Sequence, residues 1–363
     1  MTFNDVLEIK NGKNQRAVEN PNGKYPIYGS GGIMGRADDY ICDAGTVIIG
    51  RKGSINNPIY VDEPFWNVDT AFGLQAKKDV LLPRYLYYFC VNYDFERHNK
   101  AVTIPSLTKS DLLKIKIDLP AIEAQQAVVD VLSKVESIIE LRKNELQKLT
   151  EMKKARFAEL FGHPDINEKE WKVNDMDQLC EVSSSKRIYQ NEQSMTGIPF
   201  LRISDLVNRM DAGTKECDLH IPKVLFEELK DKGLVPSTGD ILLTARGTLG
   251  RCYIVQEDDE FYFQDGMITW LSKFDSEITP LYISCLFEMP GFRKQIDELQ
   301  AGSTVAYLSI SMTKKLKVMV PPVELQNQFA DFVHQVDKSK AAVQKSLDET
   351  QVLFDSLMQK YFG

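Results

Sequence analysis

Several short tracts of this chain combine arginine or lysine with glycine, serine or threonine. They are Arg51-Lys52-Gly53-Ser54, the stretch around Lys100 and Thr103, Ser184-Ser185-Lys186-Arg187, Arg246-Gly247-Thr248 and Gly302-Ser303-Thr304, with Arg202 as a further isolated cation. Short hydroxyls, backbone amides next to glycine and cationic side chains suit phosphate oxygens and guanine edges. Taken singly, each tract also fits a solvated turn. Their recurrence at equivalent places in two halves of the chain is what points to nucleic acid.

Strings that resemble catalytic motifs do not hold together. Gly29-Ser30-Gly31-Gly32-Ile33-Met34-Gly35 lacks the G-x-G-x-x-G spacing, and Arg36-Ala37-Asp38-Asp39-Tyr40 after it reads as a turn rather than a helix. Asn57-Pro58-Ile59-Tyr60 is one residue from a motif of amino-methyltransferases, but no glycine-rich cofactor loop precedes it, so it reads as a turn entering a strand. Pro164-Asp165 and Glu170-Trp171-Lys172 mimic a nuclease pattern, but their gap is too short for the strand hairpin that gathers such carboxylates around a metal. No nucleophile elbow, phosphate-binding P-loop or H-E-x-x-H is present. No catalytic residue and no metal ligand is therefore assigned, and the chain is expected to be non-catalytic.

The elements that must position the basic tracts come in two copies. Shifted by 201 residues, Thr103–Gly162 lies without a gap on Thr304–Gly363. Leu107 meets Leu308, Thr108 meets Ser309, Pro120 meets Pro321, Glu123 meets Glu324, and Gln125 meets Gln326. Glu123 to Phe161 holds no glycine or proline and predicts a helix of roughly 40 residues, about 60 Å at 1.5 Å per residue. Val128, Val135 and Leu149 recur in sevens, accompanied by Val131, Ile138 and Met152 and by Leu132, Ile139 and Leu146. In the second copy Phe329, Val336, Val343 and Leu357 do so beside Val333, Leu347, Phe354 and Tyr361. Heptad spacing this long predicts a coiled-coil seam.

Upstream, Gly45–Gly50 and Gly239–Thr244 are buried-strand signals related by 194 residues, which also pairs Gly53 with Gly247 and Ser54 with Thr248. Pro83-Arg84-Tyr85-Leu86 matches Pro280-Leu281-Tyr282-Ile283 at 197, and Leu7-Glu8-Ile9 matches Cys180-Glu181-Val182 at 173. The shift climbs from 173 to 201 and then freezes. Two versions of one α+β domain with different loops, each followed by a helix of fixed length, give this pattern. The expected division is 1–119, 120–162, 163–320 and 321–363.

Composition adds bounds. The chain has 363 residues, 43% apolar content and a formal net charge of −8, with residues 163–320 carrying 18 Lys+Arg against 25 Asp+Glu. Contact with DNA must then come from local clusters or from a partner's positive charge. The six scattered cysteines without a CxxC pair read as reduced thiols of a cytoplasmic protein. No apolar run approaches the roughly 20 residues that span a bilayer, so no membrane partner is expected. The start, Met1-Thr2-Phe3-Asn4-Asp5, lacks the features of a signal peptide.

Over essentially its whole length the chain resembles the specificity (S) subunit of type I restriction–modification enzymes. The carriers are PSLTKSDLLKIKIDLPAIEAQQAVVDVLSKVE and its echo AYLSISMTKKLKVMVPPVELQNQFADFVHQVD, then YPIYGSGGIMG, GTVIIGRKGSINNPIYVDEPFWNVDTAFGL and IPFLRISDL with GDILLTARGTLGR. The resemblance implies two target-recognition domains, each reading half of a split sequence in double-stranded DNA. It implies that the helices pack as an antiparallel coiled coil with pseudo-two-fold symmetry and dock two methyltransferase (M) subunits. Restriction (R) subunits are a further partner that the sequence leaves open. S-adenosylmethionine, ATP and Mg would sit on those partners and none on this chain. One departure is the short N-terminus, with recognition-domain sequence beginning by about Phe3.

Two readings from other classes stay beside this one. A protein-interaction scaffold would use the same two domains and a coiled-coil oligomerisation element. A self-sufficient methyltransferase is disfavoured, because the cofactor loop it needs has no counterpart in the sequence.

Overall fold

The computed structural model describes residues 1–99, 105–300 and 306–363. The chain forms two compact units, Met1–Glu145 with Val343–Gly363, and Leu146–Ala342. Unit 1 opens with α1 (Phe3–Val6) and β1 (Leu7–Asn11), followed by β2 (Tyr25–Gly29), β3 (Gly32–Ala37), β4 (Thr46–Gly50), β5 (Ile59–Val61), β6 (Trp66–Asn67) and β7 (Ala71–Ala76). Its larger sheet runs β1-β7-β4-β5, antiparallel throughout. Every residue of β4 is buried, as a strand covered on both faces requires. A smaller sheet, β3-β2-β6, pairs β2 with β6 in parallel. Arg36 and Ala37, expected in a turn, instead finish β3, and the Arg36 guanidinium donates to the Gly23 and Lys24 carbonyls at 2.6 Å each. The unit continues through α2 (Pro83–Asn92), which starts on a proline, α3 (Lys109–Leu112), and the first part of α4 (Ile122–Phe161).

Unit 2 repeats this plan. After β8 (Lys172–Asp175) and β9 (Glu181–Ser183) come β10 (Ile198–Leu201), α5 (Ile203–Ala212), β11 (His220–Ile221) and α6 (Lys223–Asp231). Then follow β12 (Ile241–Thr244), β13 (Cys252–Ile254), β14 (Tyr262–Phe263), β15 (Ile268–Ser272), α7 (Pro280–Leu286), α8 (Pro290–Leu299), α9 (Ile310–Lys314), β16 (Lys317–Val320) and α10 (Val323–Phe362). The sheet β13-β12-β15-β9 reproduces β5-β4-β7-β1, and β11-β10-β14 reproduces β3-β2-β6 with the same parallel pair. Lys317 pairs with Asp175 where β16 meets β8, and the single Thr2–Lys116 bridge is its counterpart in unit 1.

The long helices, 40 residues each, are divided between the units. In unit 1 the end of α10 (Phe354, Leu357, Met358, Tyr361 and Phe362) packs on the core that holds Val128, Val129 and Leu132 of early α4. In unit 2 the end of α4 meets the start of α10, with the Phe157 and Phe161 rings 5.6 and 5.3 Å from Phe329. Within each unit the two helix portions thus run antiparallel. Phe161 lies 4.9 Å from Tyr282 and Phe362 lies 5.0 Å from Tyr85, so each helix ends in the other copy's version of one aromatic cluster. Leu132, Val135 and Ile139 are buried, but Val131, Ile138 and Met152 are exposed. The last three keep the seven-residue period yet sit one position off the seam, on the outer face.

The Glu-x-Gln motif has a mechanical role. Gln125 is fully buried; its Oε1 accepts from the Leu82 amide at 2.9 Å, and its Nε2 donates to the Val80 and Pro120 carbonyls at 2.9 and 3.0 Å. Gln326, 1% exposed, makes the same set with the Thr279 amide and the Glu277 and Pro321 carbonyls, each at 2.8 Å. The first turn of each long helix is thereby latched to the N-terminus of α2 or α7, whose amides would otherwise lack partners.

Candidate nucleic-acid interface

The buried strands β4 and β12 both run out into a basic loop, and both loops are held by the same tie. In unit 1 the Arg51 amide donates to Thr70 O at 2.8 Å, its carbonyl accepts from Leu107 N at 3.0 Å, and Lys52 pairs with Ser106. In unit 2 the Ala245 amide donates to Met267 O at 2.9 Å, its carbonyl accepts from Leu308 N at 2.9 Å, and Arg246 pairs with Tyr307. Lys52 and Arg246 are therefore structural equivalents. Each loop then turns through a glycine with positive φ, +78° at Gly53 and +69° at Gly247, with nothing within 4 Å of where a Cβ would stand. An L side chain would be strained there. In unit 1 this turn is closed by the Gly53 amide, which donates to the Pro105 carbonyl at 3.0 Å, and by the Ile55 amide, which donates to the Gly53 carbonyl at 2.9 Å.

In both copies the residue paired at the tie also donates its amide to a side chain. Asn99 Oδ1 accepts from Ser106 N at 3.1 Å, and Gln300 Oε1 accepts from Tyr307 N at 3.1 Å. Four candidate residues, Lys100, Thr103, Ser303 and Thr304, lie outside the described residues.

The side chains placed on this shared backbone differ. In unit 1 Arg51, Lys52, Gly53 and Ser54 are exposed, and the Arg51 guanidinium lies 5.7 Å from the Phe72 ring centroid. Gly50 sits against Ser30, so the glycine-rich string set aside as a dinucleotide loop forms the β2–β3 hairpin turn beside this basic loop. Ile33 and Met34 of that hairpin are 65% and 62% exposed.

In unit 2 Arg187, Arg202 and Arg246 come together around one cavity of about 410 Å³, joined by Gln193, Gln264 and Asp265. Two of the three arginines are paired: Arg187 with Asp265 at 2.9 Å, and Arg202 with Asp205 at 2.9 Å and Asp218 at 3.0 Å. The hydrogen bonds from Arg202 to Asp205 and then Asp218 raise its pKa still further, so this guanidinium is held by carboxylates. Arg246 has no ion pair among the described residues and lies 5.0 Å from the Tyr307 ring centroid. Gly247 and Thr248 line an adjoining cavity of about 440 Å³ with Arg293, Asp297 and Gln300. Lys186 is exposed, and its amide donates to the Tyr262 hydroxyl at 2.8 Å. Burial pushes that hydroxyl up to about 12.

Sequence reasoning missed Gln193, Gln264, Asp265 and Tyr307. A usable signal existed for two of them. Asp265-Gly266 is a turn dipeptide directly after an aromatic strand, and the 201-residue shift sets Tyr307 against Ser106.

Among the described residues no three His, Cys, Asp or Glu side chains are gathered for a metal ion. Pro164–Trp171 forms turns, with Asn167 and Glu170 at positive φ, so the nuclease-like string does not gather its carboxylates. Among the described residues no helix is long and apolar enough to cross a membrane.

The arrangement has relatives. The Haemophilus influenzae protein named as type I restriction enzyme specificity subunit S.HindORF215P is 24% identical over 345 residues, 90% of this chain and 83% of its own. The type I restriction enzyme MjaVIII specificity subunit of Methanocaldococcus jannaschii is 22% identical over 318 residues, 81% of this chain and 70% of its own. The crystal structure of a type I restriction–modification system S subunit from M. genitalium superposes with a TM-score of 0.66 at 18% identity, covering 100% of this chain and 95% of that one. That likeness concerns the fold. The family described as type I restriction modification DNA specificity domain matches residues 1–151 and again 168–350. One match falls on each copy of the repeat, and the chain belongs to this family of specificity subunits.

Proposed function

We propose that this chain reads a bipartite duplex DNA target, one half-site with each loop cluster, and positions two methyltransferase subunits on it. A restriction subunit joins where the system also cuts. The observation that carries this reading is the shared tie. Two backbones alike down to Lys52–Ser106 and Arg246–Tyr307 carry different side chains, which is what two readers of different sequence need. Phosphate contacts fix register and base-edge contacts specify. The exposed candidates are Arg51, Lys52, Gly53 and Ser54 in unit 1, and Lys186, Arg187, Arg246, Gly247 and Thr248 in unit 2, with Arg202 behind its carboxylates. Lys100, Thr103, Ser303 and Thr304 belong to the same proposal on sequence grounds. The long helices serve as spacer and docking element, and methyl transfer and any cleavage belong to the partner chains. With a net charge of −8, the chain supplies readout locally while partners provide much of the charge that displaces counterions.

The test is exchange of residues 1–119 for those of another family member, in the complex with its methyltransferase. Selection from a random duplex pool should then return a target altered in one half-site only. Changes in both half-sites, or in neither, would overturn the two-reader assignment.

A further inference from the structure

We propose that Arg246 reads a guanine in the half-site contacted by unit 2, through paired hydrogen bonds from its guanidinium to N7 and O6. The inference deepens the DNA-reading role proposed above and rests on it. Three observations carry it.

First, Arg246 is the one arginine of its cavity whose guanidinium is free of carboxylates among the described residues. Asp265 holds Arg187, while Asp205 and Asp218 hold Arg202. Second, its guanidinium lies over the Tyr307 ring. A guanidinium held by an aromatic face keeps its N–H donors free for an acceptor, and a planar fork is what bidentate recognition requires. Third, the equivalent position of unit 1 carries Lys52, and the position equivalent to Tyr307 carries Ser106. A phosphate contact needs only charge, which lysine supplies. At this pair of positions the fork and the ring beneath it occur together in unit 2 and are both replaced in unit 1, where the neighbouring Arg51 lies over Phe72 instead.

The cavity fits a base edge rather than a bare backbone. Beside Arg246 it presents Gln264, Gln193 and the Asp265 carboxylate. Amides and carboxylates pair with adenine and cytosine edges, whereas a phosphate offers no donor to a carboxylate. With Asp265 engaged by Arg187, Arg246 is the cation of this cavity left to face an acceptor pair. Guanine is the base whose major-groove edge offers two acceptors side by side.

The experiment uses the full chain in complex with its methyltransferase, selecting duplexes from a random pool with the native protein, Arg246→Lys and Arg246→Ala. The native complex should show a guanine at one position of one half-site. Arg246→Ala should lose that preference by roughly five- to over a hundred-fold, the range for one bidentate pair, and Arg246→Lys should lose part of it, with the other half-site unchanged. Arg246→Lys separates fork from charge and retains non-specific binding. Placing 7-deazaguanine, which lacks N7, at that position should weaken the native complex and leave Arg246→Ala unmoved.

Retention of the guanine preference by Arg246→Ala would overturn the inference. So would an even loss across all positions with only the salt dependence changed, the mark of a phosphate contact or a packing role. If the native complex enriches no bipartite sequence at all, the DNA-reading role itself falls, and the inference falls with it.

Discussion

Unit 1 and unit 2 share a four-stranded sheet, a buried glutamine latch and the tie that presents a basic loop, but they complete the smaller sheet by different routes. In unit 1, β2 turns straight back into β3 through a hairpin of glycine and serine. In unit 2, β10 runs into α5, and the third strand arrives only at His220. That detour is anchored by Arg209 and Asp259, paired at 2.7 Å with side chains 4% and 0% exposed. Arg209 also lies 4.9 Å from the Phe261 ring, and the Tyr253 hydroxyl donates to Asp259 at 2.6 Å. The contrast teaches that the frame is conserved through bonds to backbone, which tolerate side-chain change. The variable part is altered by inserting whole elements that bring their own buried fastenings.

The largest effect that separates the units should come from that fastening. Arg209→Met removes the buried partner of Asp259, which keeps the Tyr253 hydroxyl and Lys215 at 3.5 Å, so the loss should reach at most the about 3–5 kcal/mol of a fully broken buried pair. Hydrogen exchange should show α5 and the Asp258–Phe263 region losing protection while β1–β7 keep theirs. Retained protection of α5 would mean that the pair is not what holds the insertion.

A middle-sized effect should unite the units instead. Gln125→Leu and Gln326→Leu each leave a buried amide and buried carbonyls without partners, at about 1–3 kcal/mol for a stranded group. Urea unfolding should register similar losses from both, and a marked inequality would break the equivalence of the two latches.

The smallest effect sharpens the difference between Lys52 and Arg246. Lys52→Ala should lower the salt dependence of duplex binding by about one unit of slope and leave base preference unaltered. A changed preference in unit 1's half-site would make Lys52 a base reader as well.

The frame was legible in the chain's self-similarity because its fixed points are pairs of residues whose shift changes only slowly along the chain. Gln125/Gln326, Gly53/Gly247 and Pro83/Pro280 all occupy matched places. Helix length was legible from the unbroken run after Pro120. The outward turn of Val131, Ile138 and Met152 was not, because spacing in sevens marks every stripe of a helix equally and only packing selects the seam. The Arg187–Arg202–Arg246 grouping was hidden for a related reason. Those residues sit on three separate loops, and nothing local marks Asp218 or Asp265 as the carboxylates that hold two of them. The exchange of helix ends, Phe161 onto Tyr282 and Phe362 onto Tyr85, depends on where distant segments close up, which no pattern along the chain encodes.

That exchange has a consequence for the order in which the protein can be made. Unit 2 is one continuous segment, Leu146–Ala342, whereas unit 1 needs Val343–Gly363 to complete it. A ribosome delivers Tyr85, Phe89 and Leu132 early, but their covering residues, Phe354, Met358 and Phe362, come only after the whole of unit 2. The half of the molecule synthesised first is therefore the half finished last, with an apolar face left open while the second half folds. A nonsense codon in the last turns of α10 would strike the amino-terminal domain, more than two hundred and fifty residues upstream of the lesion in the gene.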